Sequence, residues 1–343
     1  MKILGIESSC DETAAAIVED GTKLLAQSVA SSMDLHAKFG GVVPEIAARS
    51  HIESIIPVIE EVFDKSNCTW DDIDGIAVTY GAGLSGSLLV GVLTARTLAI
   101  INNKPLYAIN HVEGHVYANF LIDPAPEFPL LSLIVSGGHS QLVLFRDHFD
   151  YTLLGQTVDD AIGEAFDKVA KIIGLPYPGG PSVSKAAVDG DPLSFTFPTA
   201  KLDSPYNFSF SGLKTAVLRA AQAAVGADYR LASFELPKRL SEAQKKNIAA
   251  SFQYTAIKTV VDKTVKAYKE YSPKSVVIAG GVAANNELRL QLSEALPITI
   301  NYAPIEYCTD NGAMIAALGC IKALRGAESC DPYSLEIAPN LKM

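Results

Sequence analysis

Two histidines spaced to share a metal ion are the first feature of this sequence that indicates chemistry. The stretch NHVEGHVYANF, residues 110–120, places His111 and His115 four positions apart in a segment with helical periodicity. Residues at i and i+4 lie on one face of a helix, so both imidazoles can reach one ion. The alternative is a pair of structural histidines. The HExxH helix of metalloproteases has the same spacing, but Glu113 lies about 200° around the helix from each histidine, which disfavours a protease.

A metal centre also needs a ligand from another part of the chain. Asp310, in YCTDNGAMIAA, begins the last predicted helix, where its alternative role is an N-cap. Two histidines and one carboxylate with open coordination positions suit Fe(II) or Zn(II), and spacing does not discriminate between these ions. The sequence thus predicts one divalent ion bound by His111, His115 and Asp310.

Glycine-rich turns are a second group of features that can do chemistry. The turns in VSGGHS and AGGVAANN contain Gly137-Gly138 and Gly280-Gly281, and each follows a predicted strand. Glycine lacks a Cβ, so its backbone N–H can approach an anion closely, and the turns together predict a nucleotide site. For each turn alone, a hairpin or a helix cap is the simpler interpretation.

Two other nucleotide-binding patterns are disfavoured. GAGLSG, residues 81–86, formally matches the dinucleotide pattern GxGxxG, but no acidic residue follows about 20 positions later to hold a ribose. Close packing of a helix on a strand is the alternative explanation for these glycines. The pattern GxxxxGK[ST] does not occur, which excludes a P-loop kinase or ATPase.

The predicted strands and helices that must position these residues occur in the same order in both halves of the chain. In each half, three predicted strands precede helices that alternate with single strands, in the order βββαβαβα, and the last strand of the second half is ITINYA, residues 298–303. This duplication predicts an α/β protein with two mixed-sheet lobes and a central nucleotide cleft. We expect an N-terminal lobe over 1–128, a C-terminal lobe over 129–320 with an insertion at 175–240, and a tail, 321–343, that packs back on the N-terminal lobe.

Composition limits the class of protein. Of 343 residues, 48% are hydrophobic and 19% are charged, which is typical of a compact soluble protein. The five cysteines form no CxxC pair, which argues against a disulfide framework and for a reducing, cytoplasmic environment. Every long apolar stretch is interrupted by charge, so we expect no membrane span.

The net charge bears on nucleic-acid binding. The chain carries −10 at pH 7, so contacts to phosphates would need a local basic face or a partner. Residues 238–274 contain nine Lys or Arg against three Asp or Glu, with tyrosines interleaved. A solvated helix face is the alternative interpretation of this segment.

Eight motifs occur in order along nearly the whole chain. They are MKILGIESSCDETAAAIV, GGVVPEIAARSH, NHVEGHVYA, LIVSGGHSQLV, GEAFDKVAKIIGLPYPGGP, FSFSGLKTA, AGGVAANNELR and CTDNGAMIA. Taken together, they resemble the tRNA adenosine threonylcarbamoyltransferase (TsaD) family, formerly described as glycoproteases. The GGVVPE form resembles the bacterial branch of that family.

The resemblance implies the duplicated fold of actin, Hsp70 and sugar kinases. It implies transfer of a threonylcarbamoyl group from threonylcarbamoyl-AMP to the exocyclic amine of the adenosine 3′ of the anticodon, in tRNAs that read A-starting codons, with release of AMP. We expect one divalent ion, with Fe(2+) favoured over Zn(2+). In the bacterial branch the implied partners are a degenerate TsaB-like relative of the same fold and a small TsaE-like P-loop ATPase.

The resemblance also assigns site residues. The metal ligands fall on His111, His115 and Asp310. The substrate contacts fall on Ile134, Val135, Ser136, Gly137, Gly138, Asp167, Gly180 and Asn285. Ser184 departs from the family pattern, because many members carry an acid there that contacts the ligand.

The reaction suggests roles for further residues. Asp11 and Glu12, in the first hairpin turn, are our hypothesised proton acceptors for the attacking amine, with a merely charged turn as the alternative. For the tRNA phosphates we expect Lys245, Lys246 and Lys258, or a partner. Two rival functions are an ATP-binding chaperone or kinase of the same fold, which has no need of the histidine pair, and the disfavoured metalloprotease.

Overall fold

The structure, a computed structural model, describes residues 1–300 and 302–343. The chain divides into two compact units, each built on its own mixed β-sheet. The first unit comprises Met1–Ala125 and Ala303–Met343, and the second comprises Pro126–Tyr302. The α/β class with two mixed sheets, predicted from the duplicated pattern, is confirmed.

The sheet of the first unit combines antiparallel and parallel strands. Its strands are β1 (Lys2–Glu7), β2 (Glu12–Glu19), β3 (Lys23–Ser31), β4 (Gly75–Gly81) and β5 (Leu106–Asn110). Their order is β3-β2-β1-β4-β5, with β1 antiparallel to β2 and parallel to β4. The helices of this unit are α1 (Met33–Ala37), α2 (Pro44–Ser66), α3 (Ser85–Ile101), α4 (His111–Tyr117), α11 (Ile305–Cys308) and α12 (Gly312–Leu324).

Strand β1 is buried because helices cover both faces of the sheet. Leu4 and Ile6 point to one face, where they belong to a hydrophobic cluster with residues of α2 and α3. Gly5 lies on the other face, where an added Cβ would lie 2.4 Å from the backbone nitrogen of Ala316 in α12. Since that distance is far below van der Waals contact, α12 can lie directly on β1 only because this position is glycine.

This packing differs from the division of the chain that the sequence suggests. Helix α12 falls within the C-terminal lobe expected over 129–320, yet it belongs to the first unit because it packs on β1 and β2. The segment 321–343 belongs to the same unit. Its carbonyl groups accept hydrogen bonds from the guanidinium of Arg96, on α3, and these carbonyls are those of Pro332, Tyr333 and Leu335.

Arg96 interrupts the apolar sequence of α3. In the folded unit its charge is satisfied by the carbonyls of the tail. Over the described residues, no helix combines the length and the apolarity needed to cross a membrane.

The second unit has a smaller sheet. Its strands are β6 (Leu130–Val135), β7 (Ser140–Asp147), β8 (Asp150–Gln156) and β9 (Ser275–Ala279), in the order β8-β7-β6-β9 with β9 parallel to β6. The helices are α5 (Ile162–Ile173), α6 (Gly179–Ala187), α7 (Ser211–Ala224), α8 (Leu236–Arg239), α9 (Glu242–Tyr271) and α10 (Asn286–Ala295).

The strand predicted at 298–303 is not found. Residues 298–300 and 302–303 lie in no strand, and position 301 falls outside the described residues. Pro297 and Pro304 flank this segment and offer no N–H to a sheet ladder, which is a physical reason for its irregular backbone.

The proline-rich insertion, 175–240, is joined to the end of β8 by backbone hydrogen bonds of Phe208 and by the carboxylate of Asp159. Asp159 accepts hydrogen bonds from the hydroxyls of Ser209 and Ser211, both at 2.6 Å, and from the N–H of Phe210 at 2.8 Å. Phe208 and Phe210 are fully buried between these polar contacts. The FSFSG motif therefore has a structural role in fixing the start of α7.

Candidate metal centre and ligand-binding turns

Three side chains of the first unit converge into a group that can hold a metal ion. The ligand atoms of His111, His115 and Asp310 all lie within 4.8 Å of one another. The Nε2 atom of His115 lies 3.2 Å from Oδ1 of Asp310, and that of His111 lies 3.5 Å from the same oxygen. The structure thus brings together the three residues that the sequence predicts as ligands.

The backbone explains how these ligands meet. Strand β5 ends at Asn110, whose side-chain oxygen accepts a hydrogen bond of 2.9 Å from the N–H of Val112 and so starts α4 at His111. Asn311, rather than Asp310, caps α12 through a 2.9 Å hydrogen bond from the N–H of Met314. The alternative role of Asp310 as an N-cap is therefore wrong, and its carboxylate faces the two histidines.

His115 provides the best test of whether a metal fits. Its side chain is only 2% exposed, and within the described part of the chain neither ring nitrogen has a hydrogen-bond partner. A buried polar atom without a partner costs about 1–3 kcal/mol, so native proteins usually satisfy such atoms. A divalent ion beside Asp310 would satisfy Nε2 of His115, and the donor set of two imidazoles and one carboxylate suits such an ion.

His111 is buried between two carboxylates. Burial lowers the pKa of His111, but the negative charges of Asp310 and Glu7 outweigh it and raise the pKa to about 9. The group therefore attracts positive charge strongly. Metal binding would exchange the proton of this imidazole for the ion, since a ligating imidazole is neutral.

Glu7 is a candidate site residue that the sequence interpretation missed. It is fully buried at the end of β1, and its Oε2 lies 3.1 Å from Nδ1 of His111. Thr79 donates to the same oxygen at 2.6 Å, and the N–H of Ser9 donates to Oε1 at 2.5 Å. A carboxylate on the second nitrogen fixes the ring orientation of a metal-binding histidine. The feature of the sequence that could have identified Glu7 is its charge within a buried strand.

Asp11 and Glu12 were both predicted in the first hairpin turn, but only Asp11 lies in the turn between β1 and β2, and Glu12 is the first residue of β2, paired with Ser31. The charge of Asp310 acts on Glu12. Burial first, then the charges of Asp310 and Asp11, raise the pKa of Glu12 to about 9. Oε1 of Glu12 accepts a hydrogen bond of 3.2 Å from the hydroxyl of Ser31. Both side chains are partly exposed, so they remain available to a ligand.

In the second unit, two glycine turns lie side by side. Ile134 and Val135 end the buried strand β6, and the N–H of Ser136 donates to the carbonyl of His139 at 2.8 Å, which closes the turn around Gly137 and Gly138. Gly280 has a φ of +87°, and an added Cβ there would lie 2.5 Å from the carbonyl oxygen of Val135. Glycine is therefore required at position 280 to bring the turn after β9 against the turn after β6.

Three other glycines of these turns, and Gly180 in α6, have no such requirement. At Gly137, Gly138, Gly180 and Gly281 an added Cβ would meet nothing within 4 Å in the described structure, and none has a left-handed backbone. In the described chain, no hydrogen bond uses the N–H of Gly137 or Gly138. The fold therefore leaves open backbone at these positions, which is the property that close approach of a ligand needs.

The remaining predicted contacts belong to hydrogen-bond networks of the same unit. Oδ1 of Asp167 accepts a 2.6 Å hydrogen bond from the N–H of Gly179, which sets the start of α6 and the position of Gly180. The Nδ2 atom of Asn285 donates to Oγ of Ser184 at 3.0 Å and to Oε1 of Gln253 at 3.1 Å. Ser184 is thus linked to Asn285, although it lacks the acid of the family pattern.

Comparison with known proteins decides the family. The sequence matches the family described as tRNA N6-adenosine threonylcarbamoyltransferase over residues 23–317. A protein of that name from Symbiobacterium thermophilum is 51% identical over 92% of this chain and 90% of its own. One from Thermomicrobium roseum is 48% identical over 96% of this chain and 94% of its own. The chain belongs to this family.

The fold agrees with this membership. Component A of (R)-2-hydroxyglutaryl-CoA dehydratase from Acidaminococcus fermentans matches with a TM-score of 0.52 at 17% identity, over 94% of this chain and 99% of that one. Such a likeness shows the fold alone. It is the duplicated actin, Hsp70 and sugar-kinase fold that the family resemblance implied.

The structure bears on two further sequence-based interpretations. In GAGLSG, an added Cβ at Gly83 would lie 2.6 Å from the carbonyl oxygen of Ser9, so close packing explains this glycine. The three lysines expected to contact tRNA are each paired with an acid: Lys245 with Glu242 at 2.8 Å, Lys246 with Asp189 at 2.9 Å and Lys258 with Asp262 at 2.7 Å. These ion pairs favour the solvated helix face over a phosphate-binding one.

Proposed function

We propose that this chain transfers the threonylcarbamoyl group from threonylcarbamoyl-AMP to the exocyclic amine of the adenosine 3′ of the anticodon, in tRNAs that read A-starting codons. Membership of the family supports the reaction, and the observation that carries the assignment is the buried His111, His115 and Asp310 group with its unsatisfied imidazole. The metalloprotease alternative needs the glutamate of an HExxH helix as its general base, but Glu113 is no part of this group. Because its proposed substrate is tRNA, we propose a cytoplasmic location.

We propose that the group binds one divalent ion, with Fe(2+) favoured and Zn(2+) as the alternative. When bound, the ion supplies a Lewis acid and a template for a substrate oxygen. The residues of this chain supply its orientation: Glu7 fixes the ring of His111, and Asn110 fixes the start of α4.

The chemistry itself requires positioning more than strong acid catalysis. The attacking amine is a weak nucleophile, because its lone pair is delocalised into the adenine ring, so fixing its geometry accounts for much of the rate. The new N–C bond forms as the bond between the carbamoyl carbon and the phosphate oxygen breaks, and AMP leaves as a stable anion. In this proposal the proton released by the amine goes to Asp11 or Glu12, and Glu12 can accept it only in its ionised form, because its pKa is raised to about 9.

The glycine turns of the second unit suit the adenylate. Backbone N–H groups at Gly137 and Gly138 are the proposed donors to its phosphate. Asp167, Gly180 and Asn285 complete the proposed substrate contacts, together with Ile134, Val135 and Ser136. Open backbone at Gly137, Gly138 and Gly180 supports this part of the proposal.

The partners proposed for this chain are tRNA, a TsaB-like relative of the same fold and a TsaE-like P-loop ATPase. The neighbouring helices α2 and α3 expose large apolar side chains that a protein partner can cover, and these are Ile52, Ile56, Leu89, Leu93 and Ile101. The net charge of −10 leaves part of the phosphate contact to those partners.

The test is transfer itself. The purified protein, with and without the two partner proteins, is incubated with threonylcarbamoyl-AMP and unmodified tRNA, and the digested nucleosides are weighed by mass spectrometry. We expect modified adenosine with the natural sequence, its loss with His111→Ala, and its retention with His148→Ala, a histidine outside the metal group. Peptide cleavage or steady ATP turnover without any modified adenosine would overturn the proposal.

A further inference from the structure

The turn that carries Asp11 and precedes Glu12 is held by its backbone carbonyls. The carbonyl of Cys10 accepts hydrogen bonds from Nε2 of His51 at 3.0 Å and from the hydroxyl of Ser87 at 3.2 Å. The carbonyl of Asp11 accepts from the N–H of Ser32 at 3.0 Å and from its hydroxyl at 2.9 Å. Helices α2 and α3 and the end of β3 thus hold two consecutive peptide groups.

His51 has one protonation state that satisfies both of its ring nitrogens. A carbonyl oxygen only accepts, so Nε2 must carry the proton that it shares with Cys10. Nδ1 then accepts from the hydroxyl of Thr13 at 2.8 Å. His51 is fully buried, and burial lowers its pKa, which keeps the ring neutral.

His36 acts on the next carbonyl through a relay. The N–H of Val43 donates to Nδ1 of His36 at 3.2 Å, so Nε2 is the protonated nitrogen and donates to the hydroxyl of Ser32 at 3.1 Å. That hydroxyl in turn donates to the carbonyl of Asp11. His36 is also fully buried, so these bonds are shielded from competing water.

Both histidines flank GGVVPE, a motif of the sequence to which the metal centre assigns no role. His36 precedes it and His51 follows it; His51 bonds the carbonyl of Cys10 directly, and His36 reaches the carbonyl of Asp11 through Ser32. The structure thereby joins two motifs that are remote in the sequence.

We propose that His36 and His51 are positioning residues that fix the backbone of the Cys10–Asp11 turn and thereby the orientation of the Asp11 and Glu12 carboxylates. The effect on catalysis rests on the proposed function, in which these carboxylates receive the proton. The effect on the backbone rests only on the contacts described. A loss of these hydrogen bonds leaves the two carboxylates at a mobile turn, and displacement by about 1 Å can cost on the order of 100-fold in rate.

The experiment compares three variants that remove single contacts with a matched control. Thr13→Val and Ser32→Ala remove one hydroxyl each, and His51→Leu removes the donor to Cys10, whereas His51→Gln retains an N–H at a similar reach. Ser28→Ala is the control, because Ser28 is a buried serine of the same unit whose hydroxyl bonds Glu61 at 2.5 Å instead of the turn.

The first readout is hydrogen exchange of peptides that cover residues 8–13, measured on the full chain. We expect exchange at least ten-fold faster in Ser32→Ala and His51→Leu, a nearly normal rate in His51→Gln, and no change in Ser28→Ala. Unchanged exchange in Ser32→Ala, Thr13→Val and His51→Leu overturns the proposal. Hydrogen exchange can be measured even if the natural sequence produces no modified adenosine. Failure of the proposed function can therefore be distinguished from failure of the positioning role.

The second readout is the kinetics of transfer. We expect Ser32→Ala and His51→Leu to lower kcat at least ten-fold with little change in KM for tRNA, and His51→Gln to recover most of kcat. In an Asp11→Asn, Glu12→Gln background, Ser32→Ala should have no further effect on kcat, because it acts through those carboxylates. Fully multiplicative effects in that combination would show that the histidines only stabilise the unit.

Discussion

At the scale of single residues, the metal centre depends on a partner that lies far away in the sequence. His111 and His115 could be predicted because their spacing on one helix is local. Glu7 could not, because its contact to His111 joins positions 104 residues apart, and only the parallel arrangement of β1, β4 and β5 brings them together. Asp310 was accessible only through the duplicated pattern and the family resemblance.

Glu7 provides the prediction at this scale. Glu7→Ala removes the acceptor that orients His111, and we expect divalent-ion affinity to fall by about 10- to 100-fold, with a smaller loss for Glu7→Gln, which retains an oxygen. Competition against a chromophoric chelator measures the affinity on the metal-free protein. Glu19→Gln, in the neighbouring strand β2, is the control, since Glu19 pairs with the exposed Lys23 instead. Natural affinity in Glu7→Ala would show that the carboxylate does not support the ligand.

At the scale of elements, the insertion depends on the Asp159 carboxylate. Burial opposes ionisation, but the hydroxyls of Ser209 and Ser211 and the N–H groups of Phe210 and Ser211 lower the pKa of Asp159 below its usual value. A carboxyl group with a lowered pKa in the folded state stabilises the protein above its unfolded pKa of about 3.9. That contribution disappears as the pH falls through the folded pKa.

We therefore expect Asp159→Asn to lower the free energy of unfolding by about 1 kcal/mol at most at neutral pH, because the residue is exposed and solvent screens its charge, and the difference from the natural sequence to shrink in acid. Urea unfolding at neutral pH and at about pH 3 measures both values. Asp150→Asn is the matched control, because Asp150 is 61% exposed and its ion pair with Arg146 contributes little. A difference that stays constant with pH would mean that the charge of Asp159 is not the cause.

The strands and helices also show which structural features a sequence pattern predicts and which it does not. Apolar alternation predicted β1 to β3 and β6 to β8, because their periodicity is local. It also predicted a strand at 298–303, where an apolar run occurs but residues 298–300 and 302–303 form no strand, since prolines flank them. Periodicity does not show which element a helix will pack on. The sequence-based division therefore assigned the start of α12 to the C-terminal lobe, whereas the helix packs in the first unit.

At the scale of the whole molecule, Ala303–Met343 pack in the same unit as Met1–Ala125. After the second unit, α12 covers β1 and β2, and the tail then reaches the helices that start beside the metal group. The carbonyl of Pro339 accepts a 3.1 Å hydrogen bond from the N–H of Gly83, and the carbonyl of Lys342 accepts one of 3.3 Å from Nδ2 of Asn110. Asn110 is the residue that caps α4.

Removal of residues 338–343 tests this connection. We expect the midpoint of thermal unfolding to fall by a few degrees and divalent-ion affinity to fall several-fold, because Asn110 loses the contact that fixes its amide. Calorimetry and chelator competition give the two values. Lys342→Ala in the full chain is the control, since only the backbone carbonyl of Lys342 makes the contact. If the shortened chain binds the ion as tightly as the full chain, the tail has no part in forming the centre.

The position of these ligands along the chain also sets an order of events during protein synthesis. His111 and His115 leave the ribosome about two hundred residues before Asp310, and the residues that brace Asn110 follow Asp310 in the chain. The proposed metal centre can therefore form only once Asp310 has been synthesised. A product of the ribosome that stops before Asp310 carries the histidine pair without its third ligand.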